Sequence, residues 1–387
     1  MALHVHHGLQ AAADGWVEHC EALCKRLDVP LQVVKVRVPE GASIEAMARL
    51  ARYDVFERTL GDGDVLMQGH HRDDQAETFL FRLLRGAGVQ GLCAIPSSRP
   101  IGKGYLFRPL LDVAREELRI EIERAGLGWI EDPSNEDHRL ARNYIRHRVL
   151  PVASERWPQA SQSIVRAVSH LQEAQALLDE LAATDLAPAA SPSTWPWLPV
   201  PSLDFQRIRT LSLARQRNLM RYWLRQFGEQ PETDHWEGWQ SLRDAQSDAI
   251  PAWILKTGLL TRAGERVWWL SGLWLKFDRN THSYVWPEPG EMLELPDNGA
   301  VRAAGNLPSG QFEIRYRRGG ERLNIPGRGH RDLKRLLNES MLPAFVRKRI
   351  PLIYCDGELI AVANMPGLSA LEAQRAVFEW TPPVDAH

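Results

Sequence analysis

Apolar positions along the first part of the chain switch repeatedly between two periods. Leu3 to His6 reads as a short strand, Leu31 to Val38 is a β-branched run, and Asp64 to Gln68 is a third extended stretch. Residues 16–27, 44–60 and 75–85, which separate and follow them, read as helices. Strands alternating with helices predict an α/β domain, a parallel sheet sandwiched by helices. From Ser161 to Leu181 the apolar residues Ile164, Val168, Leu171, Leu178 and Leu181 recur at spacings of three, four or their sums, as one buried helical stripe requires. A Pro-rich stretch follows that can continue neither a helix nor a central strand. Beyond it, Arg207 to Phe227 reads as helix and Arg266 to Asp278 as a Trp-rich strand region. The chain from Leu293 onward is β-rich, with a hairpin whose strands, Leu352 to Cys355 and Glu358 to Ala363, meet at Asp356-Gly357. The predicted order is a parallel-sheet domain over 1–155, a connecting helix over 156–186 and a linker over 187–202. A helical or mixed middle domain over 203–285 and a small β-rich C-terminal domain over 286–387 complete it.

Composition narrows the classes. With 387 residues, 44% hydrophobic and 25% charged, the chain is ordinary globular material. No run approaches the roughly 18 apolar residues of a membrane span, and the start lacks the pattern of a signal peptide, so a cytoplasmic protein is expected. Four scattered cysteines, Cys20, Cys24, Cys93 and Cys355, suit reduced thiols. A net charge of -2 gives no global pull toward nucleic acid, so any RNA contact must come from local basic patches.

The densest polar cluster runs from Gly69 through His70, His71, Arg72, Asp73, Asp74 and Gln75 to Glu77, after a strand and before a helix. Open parallel sheets bind ligands at such strand ends. A capping box with Asp74 as N-cap and Glu77 at N3, with Asp73 favouring the helix dipole, would explain part of it. Capping leaves two histidines unexplained, whereas nucleotide chemistry calls for a carboxylate to hold magnesium and polar groups near the base. A second group, His4, His6 and His7, ends the first strand. Together with His70, His71, Asp73 and Asp74 it would suit a zinc or manganese hydrolase, although the groups lie far apart and no further ligand set is evident. Gly86, Gly88 and Gly91 match a dinucleotide spacing but follow a helix, so a helix end and loop are expected. Arg139, Arg142 and Arg146 are spaced to share one helical face, either a comb for phosphates or a solvated basic face. Residues 315–349 hold eleven Arg and Lys, among them Arg328, Arg331, Lys334 and Arg335, against few acids, an electrostatic footprint for RNA. Trp268, Trp269 and Trp274 read as core residues more than as base-stacking platforms.

These residues resemble the tRNA(Ile)-lysidine synthetases of the N-type ATP pyrophosphatase group. The matching stretches are HVHHGL (His4 to Leu9), Glu45 through Ala48-Arg49 to Arg52-Tyr53, GHHRDDQAET (Gly69 to Thr78), and RGAG (Arg85 to Gly88). RPLL (Arg108 to Leu111), WIEDPSN (Trp129 to Asn135) and RNYIRHRVLP (Arg142 to Pro151) follow in order, and the basic tail resembles the family's C-terminal domain. The resemblance implies a nucleotide-binding first domain and ATP-dependent attachment of lysine to C2 of a wobble cytidine. The RNA is the isoleucine tRNA with a CAU anticodon, and an adenylated tRNA is the intermediate. It implies ATP and Mg2+ as cofactors, Asp74 as the acidic catalytic residue and magnesium ligand, and Glu77 as its support. His7, Arg52 and His70 are implied ATP contacts, tRNA and L-lysine are the implied partners, and a homodimer is an arrangement left open. In the family a strand, a Ser-Gly-Gly-x-Asp-Ser loop and a helix precede the HVHHGL strand, whereas here Met1 stands almost directly before it. The expectation is a start assigned too late. A chain without that unit is expected to expose sheet edges, keep its tRNA contacts and release no pyrophosphate, acting as a non-catalytic tRNA-binding protein.

Overall fold

The computed structural model describes residues 1–8, 13–38, 44–231, 235–246, 249–276, 283–371 and 376–384 and, of residues 44 and 45, the backbone only. Leu9, the Glu45 side chain, and Asp278 at the end of the Trp-rich segment lie outside the described residues. The chain forms two compact units, Met1–Leu177 and Leu178–His387.

In the first unit the elements are β1 (Ala2–His6), α1 (Ala13–Arg26), β2 (Leu31–Lys35), α2 (Ile44–Thr59), β3 (Val65–Met67), α3 (Arg72–Leu84) and α4 (Val89–Leu92). They continue with β4 (Ser98–Ile101), β5 (Gly104–Phe107), α5 (Arg115–Arg124), α6 (Ala141–Tyr144), α7 (Leu150–Arg156) and the part of α8 (Ala160–Ala189) up to Leu177, the rest of that helix belonging to the second unit. The alternation read from the sequence is present. Strands β1 and β2 pair in parallel, from Ala2 opposite Leu31 to His6 opposite Lys35. A second sheet has the order β3-β5-β4, parallel between β3 and β5 and antiparallel between β5 and β4. The antiparallel strand was not read from the sequence. It exists because Gly102, at φ 51°, lets β4 turn back into β5 within two residues.

Side chains alternate across this second sheet. Leu66 and Leu106 turn inward and pack with Ile101, Phe56 and Tyr53 of α2, while Val65, Met67, Tyr105 and Phe107 face outward and are exposed. A smaller cluster of Ala76, Ile145 and Leu150, with Leu80, Phe81 and Ile164, joins α3 to α8 through residues 145–149. Those residues, Ile145–Val149, form a π-helical turn between α6 and α7. Pro151, which has no N–H to donate back along the helix, follows at once. Helix α8 runs past the expected end and includes Pro188 in its last turn, ending at Ala189, so the first residues of the Pro-rich stretch do continue the helix.

In the second unit a four-stranded antiparallel sheet has the order Ser202–Asp204, Arg266–Ser271, Gly258–Ala263 and Ala252–Ile254. The helix expected over 207–227 is two helices, Phe205–Arg209 and Leu213–Arg225, since Ser212 caps the second by accepting the Arg215 N–H. Trp268, Trp269 and Trp274 are buried core residues. The Pro-rich stretch is helical as far as Ala189 and then buries Leu198 and Val200 in the core of the β-rich region. The hairpin Leu352–Cys355 and Glu358–Val362 turns on Asp356 at φ 48° and Gly357 at φ 82°, the left-handed pair its sequence calls for. Among the described residues no helix is long and apolar enough to cross a membrane.

Candidate active site

The site lies at the C-terminal end of β3, where the chain leaves the sheet and enters α3. His71, not Asp74, is the N-cap: its Nδ1 accepts the Asp74 N–H at 3.4 Å, and Asp74 Oδ2 accepts the His71 N–H at 3.0 Å. The capping box therefore sits one turn earlier than the sequence spacing suggested, because the helix begins at Arg72. Asp73 has another duty: its Oδ2 accepts the N–H of Arg115 at 2.9 Å, fixing the start of α5.

This shift frees Glu77 from capping, and it is completely buried, at 0% exposure. A buried carboxylate is costly unless paired and hydrogen-bonded. Arg146 supplies a two-point bond, Nε to Oε1 at 2.6 Å and a terminal nitrogen to Oε2 at 3.0 Å, and Arg142 adds a third bond to Oε2 at 3.2 Å. The same guanidiniums reach Asp74 Oδ1, Arg142 at 3.3 Å and Arg146 at 3.6 Å. Burial pulls the Arg146 guanidinium toward deprotonation, but its bond to Glu77 and the charges of Glu77, Asp74 and Asp73 outweigh that and hold it more firmly protonated. Arg142 and Arg146 thus do share a face, as their spacing predicts, and that face is turned to the carboxylates. Arg139 is not on it. The helix starts at Ala141, and Arg139 lies in the preceding turn paired with Asp137 at 2.7 Å. A residue whose guanidinium is caught by a carboxylate two positions away has no reason to join the helix.

A second, cationic half faces the first across His70. Arg108, 4% exposed, donates from Nε to His70 Nδ1 at 3.2 Å and from a terminal nitrogen to the Pro96 carbonyl at 2.7 Å. Because arginine can only donate, His70 Nδ1 must accept, which leaves the ring proton on Nε2. Burial holds the His70 pKa down to about 4; the Asp74 charge opposes this, and the charges of Arg108, Arg142 and Arg49 reinforce it. His70 is therefore a neutral donor near pH 7. On α2, the Tyr53 ring has the guanidiniums of Arg49, 4.8 Å from its centroid, and Arg99, 4.9 Å from it, over it. Arg49 also donates to the Tyr53 hydroxyl at 3.2 Å. Burial pushes the Tyr53 phenol up, but the hydrogen bond from Arg99 and the charges of Arg49, Arg108 and Arg99 prevail and lower it. Among the described residues no carboxylate lies within ion-pair distance of Arg49, Arg52, Arg99 or Arg108.

The histidines of β1 do not converge into a metal centre. His6 Nε2 lies 3.2 Å from Asp14, His4 Nδ1 is 3.6 Å from the Cys20 thiol, and among the described residues no three His, Cys, Asp or Glu side chains are grouped to hold an ion. His7 differs: its Nδ1 is buried without a hydrogen-bond partner among the described residues, as is Arg52 Nε, and the Arg52 charge, after burial, helps hold the imidazole below its usual pKa. The loop after α3 is stitched down by Gln75 to Ile95 and by Arg82 to the carbonyls of Gly91 and Ala94, with Gly86 at φ 73° ending the helix as expected. Arg49, Tyr53, Arg99 and Arg108 carried no assigned role in the sequence. The three-and-four spacing of Arg49, Arg52 and Tyr53 on one helix was the available signal; the approach of Arg99 and Arg108 from β4 and the end of β5 had none.

In the second unit Arg328, Arg331, Lys334 and Arg335 are all exposed, on the turn and strand Gly329–Asp332 and the helix Leu333–Glu339 after it. Arg335 pairs with Glu339 at 2.9 Å. Other members of that basic run are spent: Arg315 pairs with Glu313, Arg317 approaches Glu321, and Arg349 is buried beneath Trp274, donating to Asn298 and to backbone carbonyls.

Comparison with known proteins agrees with this layout. Residues 1–153 match the PP-loop domain family, residues 203–268 the TilS substrate binding domain and residues 312–380 the TilS substrate C-terminal domain. The first unit is thus an ATP-binding PP-loop domain with its polar site at a strand end, within a tRNA-modifying class of enzyme. The tRNA(Ile)-lysidine synthase of Pseudomonas fluorescens is 54% identical over 383 residues, covering 98% of this chain and 86% of that protein. The tRNA(Ile)-lysidine synthase of Pseudomonas putida is 53% identical over 386 residues, covering 100% of this chain and 89% of that one. The chain belongs to the tRNA(Ile)-lysidine synthase family, a family of ligases. Among solved structures, the U34-tRNA thiolase NcsA from Methanococcus maripaludis with its 4Fe-4S cluster aligns at a TM-score of 0.38 and 16% identity, covering 44% of this chain and 61% of that one.

Proposed function

We propose that this protein uses ATP to join L-lysine to C2 of the wobble cytidine in an isoleucine tRNA with a CAU anticodon. The observation that carries the reading is the strand-end site: a fixed carboxylate edge, Asp74 with Glu77, meets an arginine group that has no ion-paired carboxylate among the described residues across neutral His70. The C2 oxygen of cytidine is a poor leaving group. In the first step that oxygen attacks the α-phosphorus of ATP, forming the O–P bond as pyrophosphate departs. In the second, the lysine amine, having lost its ammonium proton, forms the N–C2 bond and the C2–O bond breaks, releasing AMP. His70, as an Nε2–H donor, and Arg52 with His7 suit the nucleotide. Asp74 Oδ1, held only by long contacts to two guanidiniums, suits a magnesium ion that takes its remaining ligands from phosphate and water. Bound there, the ion would draw charge from the phosphates. Glu77 keeps Arg142 and Arg146 aimed at that edge, and in this reading those two arginines and Arg139 also border the RNA path. The exposed Arg328, Arg331, Lys334 and Arg335 grip tRNA phosphates away from the reacting base. ATP, lysine and tRNA meet in the cytoplasm, where the reaction is placed.

The test is direct: the purified protein is incubated with ATP, magnesium, lysine and the CAU-anticodon tRNA, which is then digested and its nucleosides weighed by mass spectrometry. Lysidine with stoichiometric pyrophosphate supports the reading. Tight tRNA binding with neither product would make the protein a tRNA-binding module without catalysis.

A further inference from the structure

Several arginines of the first unit are matched by acids. Arg58 with Asp54, Arg119 with Glu116, Arg124 with Glu121, Arg139 with Asp137, and Arg142 and Arg146 with Glu77 all form ion pairs. Arg49 and Arg99 are among those with no carboxylate at ion-pair distance in the described residues. They come from different elements, α2 and β4, and both guanidiniums lie over the Tyr53 ring. Arg108 adds a third charge beside the same hydroxyl, since its own protonation responds to a hydrogen bond with Tyr53. Like charges gathered together repel one another, so an anion that completes the arrangement is favoured. One N–H of Arg49 goes to the Tyr53 hydroxyl and one of Arg99 to the Pro100 carbonyl, and the remaining N–H groups of the two guanidiniums suit the oxygens of one phosphate.

We propose that Arg49, Tyr53 and Arg99 form a subsite for a backbone phosphodiester of the RNA strand, at the rim of the site and separate from the nucleotide contacts. The assignment rests on the function proposed above. Exposure favours the RNA over ATP as the source of the phosphate: Arg49 is exposed and Arg99 partly so, whereas Arg108 beside His70 is buried. A polynucleotide that turns one base into a pocket must leave the flanking phosphates at the rim, where they need cationic holders that the small nucleotide does not. Tyr53 positions the two guanidiniums and takes no part in bond changes.

The experiment compares the wild-type chain with R49Q/R99Q and R49K/R99K. tRNA affinity is measured across a salt series and ATP affinity by equilibrium binding of a fluorescent analogue. For R49Q/R99Q we expect tRNA binding to weaken about tenfold and the slope of log affinity against log salt to flatten by about one. ATP affinity should stay within about twofold of wild type, and R49K/R99K, which keeps the charge, should recover most of the salt slope. A loss of ATP affinity with tRNA binding intact assigns the phosphate to the nucleotide and overturns the proposal. Unchanged binding of both ligands, in a protein whose wild type makes lysidine, overturns the subsite and leaves the function standing. A wild type that retains no tRNA removes the function itself and the subsite with it.

Discussion

His70 can serve as a neutral donor because its surroundings refuse it a second proton. Burial is the main cause; the Asp74 charge opposes it and the charges of Arg108, Arg142 and Arg49 add to it, so its pKa falls from 6.5 to about 4. In the unfolded chain the imidazole takes its proton near 6.5, so between pH 6.5 and 4 the unfolded state binds more protons than the folded one. Stability must therefore fall as the pH falls through that window. An asparagine cannot protonate, so His70→Asn should lose less stability than wild type when acidified from pH 6.5 toward 4, by about 1–2 kcal/mol for this partly exposed ring. Denaturant melts of both proteins across the window check this, and parallel curves would mean that His70 titrates normally. The residue type and its place after a strand were legible in the sequence. Its tautomer and charge were not, because they depend on Arg108, which lies 38 residues further along the chain.

At the scale of elements, helix α3 separates two carboxylates that the sequence presents as a pair. Asp74 sits in the first turn with its Oδ2 on the His71 N–H, whereas Glu77 is one turn further in and sealed by Arg142 and Arg146. Asp74→Asn keeps an acceptor for that N–H, so it should cost less than about 1 kcal/mol of stability while lowering turnover at least about a hundredfold. Glu77→Gln removes the charge that neutralises two guanidiniums, and it should cost about 2 kcal/mol or more even after allowance for the exposed part of Arg142. Thermal melts beside single-turnover lysidine formation separate the roles. An Asp74→Asn protein that melted early yet kept its turnover would reduce that carboxylate to a helix cap. Strands β1 to β3, helices α1 to α3 and the Asp356-Gly357 hairpin were readable because local periodicity and turn chemistry determine them. The helix start at Arg72 was misread by one turn, since His71 and Asp74 cap as well as Asp74 and Glu77 would have done. The spacing of Arg142 and Arg146 showed a shared face, but their acidic partners lie 65 to 69 residues upstream, beyond any local pattern.

The whole molecule carries a net charge of only -2, so its surface as a whole gives a polyanion no attraction. Any grip on tRNA must be local. The exposed run Arg328, Arg331, Lys334 and Arg335 supplies one such place, and only Arg335 of the four is tied to a carboxylate, Glu339, among the described residues. Neutralising Arg328, Lys334 and Arg335 together should therefore weaken tRNA binding and flatten its salt dependence by about two to three in log–log slope, because each lost phosphate contact withholds its counterions. Removing Arg335 also leaves Glu339 unpaired, which adds repulsion in the same direction. ATP affinity should not change, since the residues proposed to hold the nucleotide, His7, Arg52 and His70, belong to the other compact unit. Fluorescence anisotropy of labelled tRNA over about 50 to 200 mM salt, with ATP binding measured in parallel, resolves the two effects. An unaltered slope would show that this basic face is solvated and that the tRNA is held elsewhere, while a fall in ATP affinity would mean that the two ligands are not read by separate sets of residues.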